Sequence, residues 1–302
     1  MTIWVGVSLV AAFLQNVRSA LQKHLTARLS THGATATRFL YGLPFALLGL
    51  ALAVFLLGAP PPPTLPFAAF ALAGSLAQIG ATTLLLASFS SGSFAAGTAY
   101  SKTEAVQAAL FGYLFLGDRL SAGGLAGVVL SVFGVLSLSR PRAAAGGRAG
   151  VAAGAARHRG AVLGLFSGAL FALSAVCYRG AALALGDAHF VLRATLTLVF
   201  ALGVQSVVTA GRLRLVEPGE LTRVRRAWRP GLAVGLAGAG ASAGWFVAFT
   251  LVNASYVKAV GSVELVFAVL SSWLLFRERP AAVELVGVAL VMLGVVVTAA
   301  LR

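Results

Sequence analysis

The stretch from Glu104 to Ser139 occurs twice, returning from Glu264 to Ala299 at one constant spacing with no gap. Glu104 answers Glu264, Tyr113 answers Trp273, Asp118-Arg119 answers Glu278-Arg279, and Gly127 and Gly134 answer Gly287 and Gly294. Each copy is an apolar run with one acid near its start, a short charged turn, and a second apolar run carrying glycines. That is the pattern of a helical hairpin used twice, with a period far too long for a solenoid. The match extends upstream, where Arg193 and Phe200-Ala201-Leu202 echo Arg38 and Phe45-Ala46-Leu47 at a slightly smaller spacing. The chain is therefore confined to architectures made from two related halves.

Composition decides the solvent. With 59% hydrophobic and 10% charged residues and a mean hydropathy of +0.93, the chain has too little charge to cover the surface of a water-soluble domain. Ten apolar runs are long enough to cross a roughly 30 Å hydrocarbon core as helices, and they lack the alternation of barrel strands. The expected fold is an all-α integral membrane protein of ten transmembrane helices. The net charge of +15 sits mainly in short loops between spans, which points to membrane orientation and away from nucleic acid. Cys177 is the single cysteine, so no intramolecular disulfide or cysteine metal cage can form. Met1 to Trp4 carries no basic n-region, and the first run is read as a retained span.

Taken in order, the first repeat is expected over residues 1–139, a basic Ala/Gly/Arg linker over 140–159, and the second repeat over 160–302. Span one runs from about Ile3 to Gln22. It places Gln15, Arg18 and Gln22 on one helical face, which should meet protein or water, unless Arg18 snorkels to the nearer surface. Span two, about Ala34 to Leu57, ends at the rigid Gly58 to Pro63 segment, whose four consecutive prolines cannot continue a helix. Span four, about Gly92 to Leu116, holds Lys102, Glu104 and Gln107. Lys102 and Glu104 are two residues apart and point to different sides of their helix, whereas Gln107 shares the face of Glu104. Gly123 and Gly127 in span five, and Gly160, Gly164 and Gly168 in span six, have the spacing of close helix packing. A second basic loop is expected from Arg212 to Arg229. Span eight is dense in glycine from Gly231 to Gly244, followed by Trp245 and Asn253. Span nine, about Ser255 to Phe276, carries Glu264.

Five spans per half is an odd number, so the second half must enter the membrane inverted relative to the first. Two inverted five-helix repeats are the physical basis of alternating access, in which two copies in slightly different conformations exchange them. A transporter is the natural function of such a chain.

The run from Thr103 through Ser121, with Glu104 and the Asp118-Arg119 turn, resembles the fourth-helix signature of EamA-type proteins in the drug/metabolite transporter superfamily. So does Val263-Glu264-Leu265-Val266 through Arg279. The resemblance covers nearly the whole chain. It implies a permease for export or exchange of small metabolites, amino acids or amphiphilic drugs. Ala105 and Leu265 stand where that family often has proline, so nothing here enforces a helix break beside either acid. The resemblance also implies termini on the cytoplasmic side. The positive-inside rule points the other way. Lys23, Arg28, Arg38, the linker arginines, those from Arg212 to Arg229, Arg277 and Arg279 fall on one set of membrane ends. Arg119, Arg179, Arg193, Lys258 and Arg302 fall on the other.

Glu104 and Glu264 are the leading site candidates, as repeat-equivalent acids within apolar runs. A carboxyl group there can take up a proton from one side and release it on the other, or bind a cationic group of the substrate. The alternative is that they cap a helix or pair with Arg18 or Lys102 to hold the bundle together. Gln15, Asn16, Arg18, Gln107, Trp245 and Asn253 are further candidates for lining a midplane cavity. No phosphate-binding loop of the G-x-x-x-x-G-K-[ST] type occurs, so a gradient rather than ATP is expected to drive transport. His24, His32, His158 and His189 have no metal-ligand or triad spacing. No cofactor, metal or catalytic residue is therefore expected. The partners are a small-molecule substrate and the lipid bilayer, with no nucleic acid, in a chain of a bacterial inner membrane whose oligomeric state stays open, a monomer included. A non-transporting membrane subunit or sensor, or a membrane-embedded transferase, are the rival readings.

Overall fold

The computed structural model describes residues 3–90, 100–138, 151–267 and 282–301, and every regular element among them is a helix. The helices are α1 (Ile3–Leu25), α2 (Thr31–Leu40), α3 (Gly42–Leu57), α4 (Leu65–Ser90), α5 (Glu104–Leu116) and α6 (Ala122–Leu138). They continue as α7 (Val151–Leu183), α8 (Phe190–Val216), α9 (Glu220–Arg226), α10 (Trp228–Leu251), α11 (Ala254–Gly261) and α12 (Ala282–Leu301). The beginning of span four, the linker up to residue 150, the end of span nine and the turn Arg277 to Pro280 lie outside the described residues.

Among the described residues, six helical segments are long and apolar enough to cross a membrane: Ile3–Gln22, Thr31–Leu57, Leu65–Leu85, His158–Leu183, Phe190–Val216 and Trp228–Leu251. Shorter apolar helices cover Glu104–Leu116, Ala122–Ser137 and Leu285–Leu301. Phe55, Leu65, Val207 and Leu215 are more than 70% exposed, which a water-bathed surface would not tolerate in such number but a lipid-facing one requires. This is an integral, multi-pass membrane protein.

The second span is not one straight rod. α2 ends and α3 begins at Tyr41. Pro44 explains the break, since it has no N–H for the Leu40 carbonyl and its ring crowds that turn. α3 then stops at Leu57, where Gly58 takes φ 92° and Pro60 to Pro63 follow. Two segments expected as loops are helical instead. Alanine-rich residues from Val151 onward already belong to α7, in keeping with the high helix propensity of alanine. Arg212 and Arg214 lie at the end of α8, and Arg223, Arg225 and Arg226 fill the last turn of the short α9, where cations complement the helix dipole.

The chain folds as two compact units, each drawing on both halves of the sequence: Ile3–Ser75 with Cys177–Val252, and Leu76–Val176 with Asn253–Arg302. In the first unit, α1 packs along α10, and α2, α3 and α8 pack against α10 and one another. The glycines of α10 make this possible. A Cβ at Gly231 would lie 2.6 Å from the Tyr41 ring, and one at Gly244 would lie 2.8 Å from Ala11 Cβ. Ser30 caps α2 by accepting from the Gly33 amide, and it donates to Glu217 Oε2 at 2.5 Å. Arg179 Nη1 donates to the carbonyls of Phe249 and Val252 at 3.0 and 2.9 Å, covering orphan acceptors at the end of α10.

In the second unit α6 and α12 form the main seam. A Cβ at Gly127 would lie 2.8 Å from the Gly294 carbonyl oxygen, and one at Gly134 would lie 2.8 Å from that of Gly287. The repeat-equivalent glycines thus face each other crosswise, and the two backbones approach as the GxxxG-like spacing expects. Gly168 likewise sits against the Ser101 carbonyl, and Ser167 Oγ donates to the Ala81 carbonyl at 2.8 Å.

Candidate functional site

In the second unit both leading acids are engaged. Lys258 Nζ donates to Glu104 Oε2 at 3.0 Å, with the two side chains 21% and 13% exposed. Lys102 pairs with Glu264, at 18% and 15% exposure. Each acid therefore holds a lysine from the other repeat, and the two pairs cross between the sequence halves. Lys102 and Glu104 do diverge to separate partners, as their spacing requires. Of the structural partners considered from the sequence, Lys102 is realised for Glu264. Lys258, read only as a residue near the membrane surface, is the partner of Glu104.

The backbone explains how both acids come to stand at such pairs. The helical run is interrupted at Lys102-Thr103 and, at the repeat-equivalent place, at Ser262. Thr103 has φ −67°, ψ −3° and Ser262 φ −59°, ψ −16°. Val106 N donates to Thr103 O and Leu265 N to Ser262 O, both at 3.1 Å, the tighter three-residue bonding that often starts or ends a helix. The interruption therefore exists without the proline that the sequence lacks. It makes Glu104 the first residue of α5, where the helix dipole favours a carboxylate. Gln107 lies one turn on and donates weakly to the Leu165 carbonyl at 3.4 Å, while its buried Oε1 has no partner among the described residues. Asn253 Nδ2 donates to the Arg119 carbonyl at 3.2 Å, tying the start of α11 to the charged turn.

The remaining candidates lie in the first unit. Trp245 Nε1 donates to Gln15 Oε1 at 3.0 Å, and Gln22 Nε2 donates to the Ala34 carbonyl at 3.0 Å. Arg18, on the same face, is 8% exposed and packs over Gly238, so it faces protein rather than snorkelling. Asn16 is half-buried. Two polar groups that sequence reasoning did not single out as site candidates are also buried here. Gln205 Nε2 donates to Tyr178 Oη at 2.9 Å, and the Tyr178 ring lies 4.5 Å from that of Phe246. The signal for Gln205 was its isolation in an apolar span. Among the described residues no group of three or more His, Cys, Asp or Glu side chains gathers in a form that could hold a metal.

The sequence model of the EamA-like transporter family matches this chain twice, over residues 2–140 and 158–300. The chain belongs to the EamA-like transporter family. The two matches make it a two-repeat member, and the family's members are transporters rather than enzymes. A solved crystal structure of another protein is similar with a TM-score of 0.72 at 18% identity, covering 97% of this chain and 95% of that one. At that identity the likeness concerns the fold alone. No functionally curated protein matches the sequence. In this EamA-like transporter the repeat-equivalent acids Glu104 and Glu264 are the two carboxylates held in the crossed ion pairs.

Proposed function

We propose that the protein is a secondary transporter that exports or exchanges a small metabolite, amino acid or amphiphilic drug-like compound. It works by alternating access between two inverted five-helix repeats, ten spans in all, in the inner membrane of a bacterium. The observation that carries this reading is the pair of crossed ion pairs, Lys258 with Glu104 and Lys102 with Glu264, each seated beside a helix interruption. Protonation of either carboxylate removes the charge that holds its lysine. A proton or a cationic substrate group can then compete with lysine for the same carboxylate, and the repeat contact loosens as the acid is neutralised. Glu104 and Glu264 are the proton- or substrate-binding residues of this scheme, with Gln107 beside Glu104.

The test is exchange by purified protein in proteoliposomes under an imposed pH gradient. Its substrates come from a thermal-shift screen of amino acids, nucleobases, sugars and amphiphilic cations. Glu104→Gln and Glu264→Gln are expected to abolish the response to the gradient while remaining folded. Exchange that keeps its full gradient dependence in both variants would sink the reading.

A further inference from the structure

We propose that the first compact unit contains a site for an oxyanion, a carboxylate or phosphate group, held by Arg18 and Arg38. The two side chains straddle one residue without a side chain of its own. A Cβ at Gly238 would lie 3.2 Å from Arg18 Cδ and 3.7 Å from Arg38 Cβ. The guanidinium of Arg38 lies within electrostatic range of Arg18 and of the Tyr178 phenol, the group that accepts from Gln205. Gly238 is ten residues into α10 from Trp228, about 15 Å along the helix at 1.5 Å per residue, half the thickness of a hydrocarbon core.

Two positive charges at that depth need an anion. Arg18 is 8% exposed, and among the described residues its buried Nε has no partner and its side chain makes one hydrogen bond, a 3.5 Å contact to Ser19 Oγ. Arg38 lies over the face of its neighbour Phe39, at 4.7 Å from the ring centroid. Among the described residues no carboxylate pairs with either. The acids of this unit are Asp187, Glu217 and Glu220. Glu217 and Glu220 are committed to Ser30 and Arg223 elsewhere in the unit, and Asp187 lies in the turn after α7. Protein interiors pair or neutralise buried charges, and the planar guanidinium fork suits a carboxylate or phosphate. The missing side chain of Gly238 lets both stems lie against the α10 backbone, and Arg38 is half-buried there.

The inference deepens the transporter reading and rests on it for one step, the assignment of the anion to a transported molecule. A phospholipid headgroup has the same chemistry, and the experiment separates the two sources. Purified full-length protein in uncharged detergent is unfolded thermally with inorganic phosphate or benzoate, against chloride at equal ionic strength. A parallel arm adds phosphatidylglycerol or phosphatidylcholine to the micelles. The expected result is a saturable rise in Tm with an oxyanion that R18Q and R38Q abolish, the empty variants being at least as stable as the parent because like-charge repulsion is relieved. If a Gln variant does not fold, R18K and R38K keep the charge without the fork and are expected to weaken binding tenfold or more.

A rise confined to phosphatidylglycerol and lost in the variants supports the site and assigns it to lipid. No rise with any anion, or a rise unchanged in the variants, overturns it. Anion binding without uptake of that anion into proteoliposomes supports the site while removing the transport step. Exchange of a neutral or cationic compound by the parent protein, unimpaired in R18Q and R38Q, together with no anion response in the parent itself, leaves the transporter reading standing and overturns the anion site.

Discussion

Lys258 holds Glu104 at 3.0 Å from the opposite repeat, and this one contact joins residues that the sequence places in different halves of the protein. Glu104→Gln leaves a largely buried ammonium without its counter-charge. Breaking a fully buried pair costs about 3–5 kcal/mol. The residual exposure of both side chains puts this one nearer the cost of an unsatisfied buried group, about 1–3 kcal/mol. The double variant Glu104→Gln, Lys258→Gln removes both charges and is expected to recover most of that loss in thermal unfolding. Transport separates the roles. If the pair only braces the fold, the double variant transports; if the carboxylate is functional, stability returns and transport does not.

The glycine seam between α6 and α12 makes a sharper structural prediction. Gly134→Ala places a methyl group 2.6 Å from the Val291 backbone nitrogen, and backbone cannot give way as a side-chain end can. Overpacking of this kind is expected to cost about 1–3 kcal/mol. A Cβ at Gly49 in α3 would meet nothing within 4 Å, so Gly49→Ala is expected to be neutral or slightly stabilising through helix propensity. Equal unfolding temperatures for the two variants would contradict the close approach.

Trp245 and Gln15 offer a test of whether the polar face of α1 does more than pack. Trp245→Phe removes the donor to Gln15 Oε1 and keeps most of the apolar contact. The expected loss of stability is about 0.5–1.5 kcal/mol, that of one hydrogen bond. A change in the apparent affinity for substrate, at unchanged protein level, would place this bond beside the transported molecule. An effect on unfolding alone would assign it to packing.

What could be read beforehand followed from how local each signal is. The repeated hairpin was legible because Gly127, Gly134, Gly287 and Gly294 repeat in register; that α6 and α12 pair along them was not, since glycine spacing permits close approach without naming the neighbour. The helical face of Arg18 was legible, but whether its guanidinium would be buried or snorkel to the surface was not, because that depends on the glycine-rich helix packed over it. The partner of Glu104 was not legible, because Lys258 reaches it through the packing of α11 against α5, a contact between distant parts of the chain that no local pattern announces. Arg38 was visible only as a repeat marker and as one of the basic residues at the membrane ends. Its significance depends on Gly238, a residue far away in sequence whose lack of a side chain brings α2 and α1 to the same spot on α10. The kink at Tyr41 had its cause in plain view at Pro44, yet an apolar run long enough to span the membrane reads as one helix by hydropathy.

Glu220 gives the protein an acid-sensitive fastening outside the membrane spans. Its carboxylate is 4% exposed and accepts from the Ser30 amide at 2.6 Å and from Arg223 at 3.1 Å. Burial alone would push its pKa up. The Ser30 amide and hydroxyl and the Arg223 guanidinium outweigh it and hold the group below the ordinary carboxyl value. A folded-state pKa below that of the unfolded chain stabilises the fold above the unfolded value, and this contribution is lost as pH falls through the folded one. Unfolding temperature is therefore expected to fall as pH drops below the ordinary carboxyl range, about 4.3. In Glu220→Gln that part of the pH dependence should disappear. The variant should also be less stable at neutral pH by about 1–3 kcal/mol, since the Ser30 amide then loses a charged acceptor. An acid limb identical in parent and variant would show that the carboxylate at the foot of α2 carries none of this sensitivity.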